Sequence, residues 1–388
     1  MTTTTIKRRD RYSGSIEKRG TSWRIRYWLP LGVDGKRKQK SETFRGTKAE
    51  ASSELRDRLA AIENGEHVTT SHQTVSQFLA HFMKTYAAIN TSLRTQQGYR
   101  YYIHRHINHP QYGVGGLRLQ DLTGQHILSL HSGMLTQGLS NRTVLNCHRV
   151  LNKALVKAVE WNALIRNPAT SAKPPRPKAL NMETWDSDTF RIFTESAKNS
   201  PFMPVYHLAV LTGMRRSELC GLRWDMVDLD AGYLRVTRTL QRIDGLGLVV
   251  GQPKTTRSRR TVSLGQTAIR ILRTLRVEQA ERRLSIGPLW HDTGYVFTNA
   301  DGSPVVGDRL TKEFSKLVKV SGLPHLSFHG LRHTAASLLI AGGVHARTIA
   351  DILGHSSITV TMDTYGHLMK GIQEDAINVL DSQLSGTL

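Results

Sequence analysis

Acidic residues are scarce for a chain of this size: 31 Asp and Glu stand against 53 Lys and Arg in 388 residues, a formal charge of +22. That imbalance excludes an ordinary neutral enzyme and points to a polyanionic partner, nucleic acid first, because each neutralised phosphate releases condensed counterions. Cysteine is nearly absent. Cys147 and Cys220 stand alone, so there is no disulfide framework and no repeated Cys pair to hold zinc. No apolar run reaches membrane-spanning length, and the Thr-rich, then basic N-terminus (Lys7, Arg8, Arg9, Arg11) has no apolar signal core. The expectation is a soluble, cytoplasmic protein with no membrane partner. Proline is also sparse, at 12 residues, and a 39% hydrophobic share provides material for two or three packed domains.

The expected fold class is multidomain α+β: a small three-stranded sheet plus helix, then a helical bundle, then a mixed, mainly α domain with a small β-sheet. The sheet and helix fall in residues 1–65. Trp23, Ile25 and Tyr27 alternate with Arg24, Arg26 and Trp28, Asp34-Gly35 signals a hairpin, and Lys36 and Lys38 open a basic third strand. Thr47-Lys-Ala-Glu50 forms a capping box ahead of Leu55, Leu59 and Ile62 at helical spacing. The basic side of such a ribbon fits a DNA major groove, so Arg24, Arg26, Lys36 and Lys38 are candidate DNA contacts. Residues 70–168 are helical nearly throughout, with Val75, Phe78, Leu79 and Phe82 opening the pattern and caps at Thr123 and Ser140. Residues 169–182 read as an extended basic linker carrying Lys173, Arg176 and Lys178 among prolines and no acid, three further candidate DNA contacts. Residues 183–388 form the mixed domain, with β-type segments at Tyr233–Val236, Leu248–Val250 and Thr261–Leu264.

That last domain carries the chemistry. Leu211-Thr-Gly-Met-Arg215-Arg-Ser-Glu218 puts an arginine after a glycine turn, and Ser327-Phe-His329-Gly-Leu-Arg332-His333 sets His329 and Arg332 three apart on one helical face. Leu353-Gly354-His355 follows, ten residues before Tyr365. Singly these residues have ordinary readings: Arg215 pairs with Glu218, His329 is a helix histidine, Tyr365 is packing. Together, in this order and spacing, they resemble the tyrosine recombinases, the phage integrase family, over about residues 184–380. The helical region resembles that family's core-binding domain, and the N-terminal sheet resembles the arm-type DNA-binding domain of lambda-like integrases.

The resemblance implies that Arg215 and Arg332 contact the scissile phosphate, His329 acts in proton transfer, His355 hydrogen-bonds a phosphate oxygen, and Tyr365 is the nucleophile. It also implies a lysine on a β-hairpin as general acid; Lys254, between the strands near Val249-Val250 and Thr261–Leu264, matches best, although Arg257, Arg259 and Arg260 stand nearby. His333, His367 and Arg216 are read as structural neighbours. Paired guanidiniums suit this chemistry because they answer the charge gathered in a pentacoordinate phosphate without a metal. The product, a 3′-phosphotyrosine, conserves the bond energy, so no cofactor and no ATP is implied. The implied partners are double-stranded DNA at core-type and arm-type attachment sites, a homotetramer on that DNA, a host DNA-bending protein and an excisionase. The implied location is the nucleoid of a bacterial host. Two other readings stay open: type IB topoisomerase-like cleavage and resealing, and a non-catalytic architectural DNA-binding protein.

Overall fold

The computed structural model describes residues 4–7, 13–31, 37–63, 71–178, 183–253, 256–366, 377–378 and 381–385. The chain divides into two compact units, Met1–Ala179 and Leu180–Leu388. Among the described residues no helix is long and apolar enough to cross a membrane.

Period-two alternation builds the first sheet. Strands β1 (Thr4–Lys7), β2 (Ser13–Arg19), β3 (Ser22–Leu31) and β4 (Arg37–Phe44) pair antiparallel in chain order. The register sets Ile16 opposite Ile25, and Ile16, Ile25, Tyr27 and Leu29 bury against Leu55, Leu59 and Ile62 of α1 (Lys48–Glu63). Helix α1 starts with the expected capping box: the Thr47 N–H donates to Glu50 Oε2 at 2.8 Å and the Glu50 N–H to Thr47 Oγ1 at 3.3 Å. The sheet has four strands where three were expected. The additional strand, Thr4–Lys7, is threonine-rich and shows no apolar alternation to reveal it. Asp34-Gly35 and Lys36 lie outside the described residues.

Residues 71–172 pack a second core from amphipathic helices. These are α2 (Val75–Phe82), α3 (Ala88–Asn90), α4 (Leu93–Tyr102), α5 (Gly124–Thr136) and α6 (Asn141–Glu160). Val75, Phe78, Leu79 and Phe82 meet Val144, Leu151, Leu155 and Ala158 there. Thr74 and Thr123 each close a capping box, and Ser140 caps α6. Arg94, Arg100, Arg105, Arg142, Arg149 and Lys153 all face solvent. The stretch read as an extended linker from residue 169 begins differently: Pro168–Thr170 form a 3₁₀ turn, with Ala169 and Ala172 buried in the bundle core. Two small apolar residues beside a proline suffice to dock it. From Lys173 to Lys178 no regular element forms, and the three cationic side chains are exposed.

The second unit contains α7 (Ser187–Ser196), α8 (Met203–Thr212), α9 (Arg216–Cys220), α10 (Gln266–Ile286), α11 (Gly307–Val320), α12 (Gly330–Ala341), α13 (Ala346–Leu353) and α14 (Ile358–Tyr365). Its strands are β5 (Val227–Asp228), β6 (Tyr233–Val236) and β9 (Arg260–Ser263) in one sheet, ordered β5-β6-β9, and the separate hairpin β7 (Thr239–Ile243) and β8 (Gly247–Gly251). Phe193, Tyr206, Phe314 and Phe328 stack edge to face at the centre of its core. A smaller cluster of Ala336, Ile340, Ile349, Leu353 and Tyr365 joins α12, α13 and α14. Packing of α12 on α8 brings together motifs more than a hundred residues apart in sequence.

Candidate active site

Two left-handed glycines frame the site. Helix α8 ends at Gly213 with φ +60°, where a Cβ would come within 2.4 Å of Leu353 Cδ2. Helix α13 ends at Gly354 with φ +65°, where a Cβ would come within 2.9 Å of Arg260 Nη1. Each leaves carbonyls at a negative helix end, and the arginines collect there. Arg332 Nη1 donates to Gly213 O at 2.7 Å, Arg215 Nη2 to Gly354 O at 3.1 Å, and Arg260 Nε to Ile352 O at 2.7 Å.

Two guanidiniums share one carboxylate. Glu218 is 2% exposed and accepts from Arg215 Nη1 at 2.8 Å, from the Arg215 backbone N–H at 3.0 Å and from Arg260 Nη2 at 3.1 Å. Burial pushes its pKa up, but the charge and hydrogen bond of Arg260, with those of Arg215, outweigh burial and hold it below the ordinary value. Arg332 is 3% exposed, sits in the first turn of α12, and leaves Nη2 buried without a partner. Burial and the neighbouring Arg215 pull its pKa down to about 9, so it remains charged at neutral pH. A buried cation with a free donor, next to like charges, is a group that an anion stabilises.

The histidines border the same charges. Burial, then Arg332 and Arg215, lower the pKa of His329, and the ring is neutral at pH 7. Burial, then Arg332, Arg215 and Arg260, take His355 down to about 4, and its Nδ1 lies 2.7 Å from Thr361 Oγ1. Tyr365 closes α14 and is 1% exposed. Burial pushes its phenol up to about 12, against the pull of Arg332. Its hydroxyl lies 2.7 Å from His333 Nδ1.

Arg215, Arg332, His329 and His355 therefore gather in one electrostatic neighbourhood. Tyr365 borders it, with its oxygen turned to His333. Arg216, read as a structural neighbour, is bonded to Gly307 O at 3.1 Å and paired with Asp308 at 3.2 Å. Lys254 and His367 lie outside the described residues. The elements flanking Lys254 belong to different sheets, since β8 pairs with β7 and β9 with β6. The connection is therefore a crossover between sheets; the hairpin turn falls earlier, between Ile243 and Gly247. Of the N-terminal candidates, Arg26 is ion-paired to Glu17 at 2.9 Å, Arg24 is half-buried, and the side chains of Lys36 and Lys38 are not among those described.

Sequence reading missed Arg260 and His333. Arg260 was one of a basic run, and nothing local marks it as the member whose side chain is 6% exposed against Glu218. His333 had one available signal: it lies four residues after His329, the N-cap of α12, and the two rings meet edge-on at 4.8 Å.

The Glu218 network makes a stability prediction. Glu218→Gln strands two cationic partners and is expected to cost about 3–5 kcal/mol, read as a lower urea midpoint for amide protection in α8 and α12. A depressed carboxylate pKa contributes stability that is present above the unfolded value and lost as pH falls through the folded one. Wild-type stability should thus fall off below about pH 4, and the Gln variant should lack that component.

Comparison with known proteins agrees with this geometry. Residues 191–371 match the phage integrase family model. The chain is 31% identical over 291 residues to the ICEBs1 integrase of Bacillus subtilis strain 168, covering 74% of this chain and 77% of that protein. It is 27% identical over 374 residues to a tyrosine recombinase XerC-like protein of Caldanaerobacter subterraneus subsp. tengcongensis, covering 92% and 95%. Among solved structures, the Tn1549 transposon integrase in complex with transposon right end DNA superposes with TM-score 0.67 at 21% identity, over 80% of this chain and 99% of that one. A lambda integrase dimer bound to a core site superposes with TM-score 0.54 at 19% identity, over 90% and 93%. The chain belongs to the phage integrase family: it is a tyrosine-type site-specific DNA recombinase.

Proposed function

We propose that this recombinase integrates, and with a directionality partner excises, a mobile element by cutting and rejoining DNA through a 3′-phosphotyrosine at Tyr365. The phenolic oxygen attacks the scissile phosphorus and gives its proton to a base, while the bond from phosphorus to the 5′ oxygen breaks and that oxygen takes a proton from an acid and leaves as the 5′ hydroxyl. Arg215 and Arg332 hold the non-bridging oxygens and stabilise the charge of the pentacoordinate transition state. Neutral His329 is able to take a proton, which suits it to the nucleophile's side of the reaction. In the tautomer whose Nδ1 accepts from the Thr361 hydroxyl, neutral His355 carries its proton on Nε2 and offers it to a phosphate oxygen. Lys254 remains the candidate general acid. Attack by the 5′ hydroxyl of another strand reverses the chemistry on a new partner and exchanges the strands.

The observation that carries this reading is the buried, partnerless Nη2 of Arg332 beside Arg215 and neutral His329. The exposed cations of the bundle and of Lys173, Arg176 and Lys178 support a grip on core-type DNA phosphates. Residues 1–65, 70–168 and 183–388 then act as arm-binding, core-binding and catalytic domains, with Arg24, Arg26, Lys36 and Lys38 on arm-type sites. Assembly is a tetramer on two duplexes, assisted by a host bending protein and an excisionase at the nucleoid. Two labelled duplexes carrying the DNA that flanks the coding gene test this against topoisomerase-like action. A four-way junction of both labels is the expected product, and relaxation or nicking of single duplexes without it would favour the topoisomerase reading.

A further inference from the structure

Tyr365 and His333 form a contact that the proposed chemistry does not use. The phenol fills the apolar cluster of Ala336, Ile340, Ile349 and Leu353, and the residue is 1% exposed. A DNA phosphate cannot meet an oxygen enclosed in this way. The only polar group on that hydroxyl among the described residues is His333 Nδ1, at 2.7 Å. The His333 ring is fixed in turn, edge-on at 4.8 Å to His329, the N-cap residue of α12.

The proton stays on the phenol in this arrangement. Burial, then His329 and Arg332, hold His333 down at about 4, while burial pushes Tyr365 up to about 12. Both shifts oppose transfer of the proton to the imidazole. The hydrogen bond therefore places the nucleophile without activating it. Resting on the reading of Tyr365 as nucleophile, we propose that His333 is a positioning residue that latches the tyrosine inward in the DNA-free protein, so that α14 must part from α12 before the phenolic oxygen reaches the phosphate.

Such a latch stabilises the closed state alone, and a neutral hydrogen bond of this kind shifts a closed–open equilibrium roughly three- to tenfold. The test uses the full chain. Amide exchange across Ile358–Tyr365 should accelerate about three- to tenfold in His333→Ala and by a similar factor in Tyr365→Phe, with no further gain in the double variant. Tyr365→Phe keeps the ring in its pocket, so the comparison survives if His333→Ala packs poorly. His333→Asn, whose Oδ1 stands near the place of Nδ1, should exchange as wild type does. On a nicked duplex carrying the flanking DNA, His333→Ala should form covalent adduct faster than wild type and His333→Asn at the wild-type rate. Unchanged exchange in both single variants, additive effects in the double variant, or slower adduct formation in His333→Ala would each overturn the latch. Adduct retained by Tyr365→Phe would instead sink the reading of Tyr365 as nucleophile, a separable failure.

Discussion

Tyr365→Phe is expected to leave DNA binding intact and to abolish the covalent protein–DNA adduct. The substitution removes one oxygen and keeps the ring that Ala336, Ile340, Ile349 and Leu353 enclose, so the folded unit loses only the hydrogen bond to His333, about 1 kcal/mol. Binding rests on charge distributed over the chain, +22 in all, to which Tyr365 contributes nothing. In the proposed chemistry cleavage rests on an ester to that one oxygen, and phenylalanine has no atom to form it. A gel shift at fixed salt, run beside a denaturing gel for adduct, separates the two: wild-type affinity with no adduct is the expected pair. Adduct at wild-type yield would assign the nucleophile elsewhere, and loss of both would show that the substitution had damaged the fold.

The two arginines should show the converse pattern, a deep kinetic loss with a shallow binding loss. Each is asked to stabilise charge that develops in the transition state, worth about 3–4 kcal/mol, so Arg215→Ala and Arg332→Ala should each slow single-turnover adduct formation by about two to three orders of magnitude. Ground-state contact with one phosphate among many carries far less, and affinity should change by about tenfold or less. Lysine is a poor substitute at position 332. Arg332 spends Nη1 on the Gly213 carbonyl and keeps Nη2 free, and a single ammonium cannot reproduce that fork. Arg215 additionally bonds Glu218 and Gly354, so its alanine variant should lose stability as well as rate. Rates within tenfold of wild type in both alanine variants would remove the proposed phosphate site.

The parts of this molecule that are legible from sequence are those set by local period and local capping. Alternation in Trp23–Trp28 fixes which side of the first sheet packs, and Thr47 with Glu50 marks the start of α1, because each rests on neighbours in the chain. Spacing on one helix likewise links His329 to Arg332. What escaped depends on distance or on the lack of pattern. β1 is polar and unpatterned, and it exists through pairing with β2. Glu218 finds Arg260 across 42 residues, and His333 finds Tyr365 across 32, contacts that only the packing of α12, α13 and β9 creates. The burial of Tyr365 is the largest gain over the sequence. Motif spacing marks Tyr365 but carries no sign of its burial, which comes from packing with Ala336, Ile340, Ile349 and Leu353.

The atom to which DNA becomes attached decides the chemistry. Trapping the chain on a nicked duplex, digesting protein and DNA, and sequencing the nucleotide-bearing peptide by mass spectrometry reads that atom directly. The expected peptide spans Tyr365 with a 3′-phosphonucleotide on its phenolic oxygen. A modification on any other residue, or linkage through the 5′ end of the broken strand, would contradict it.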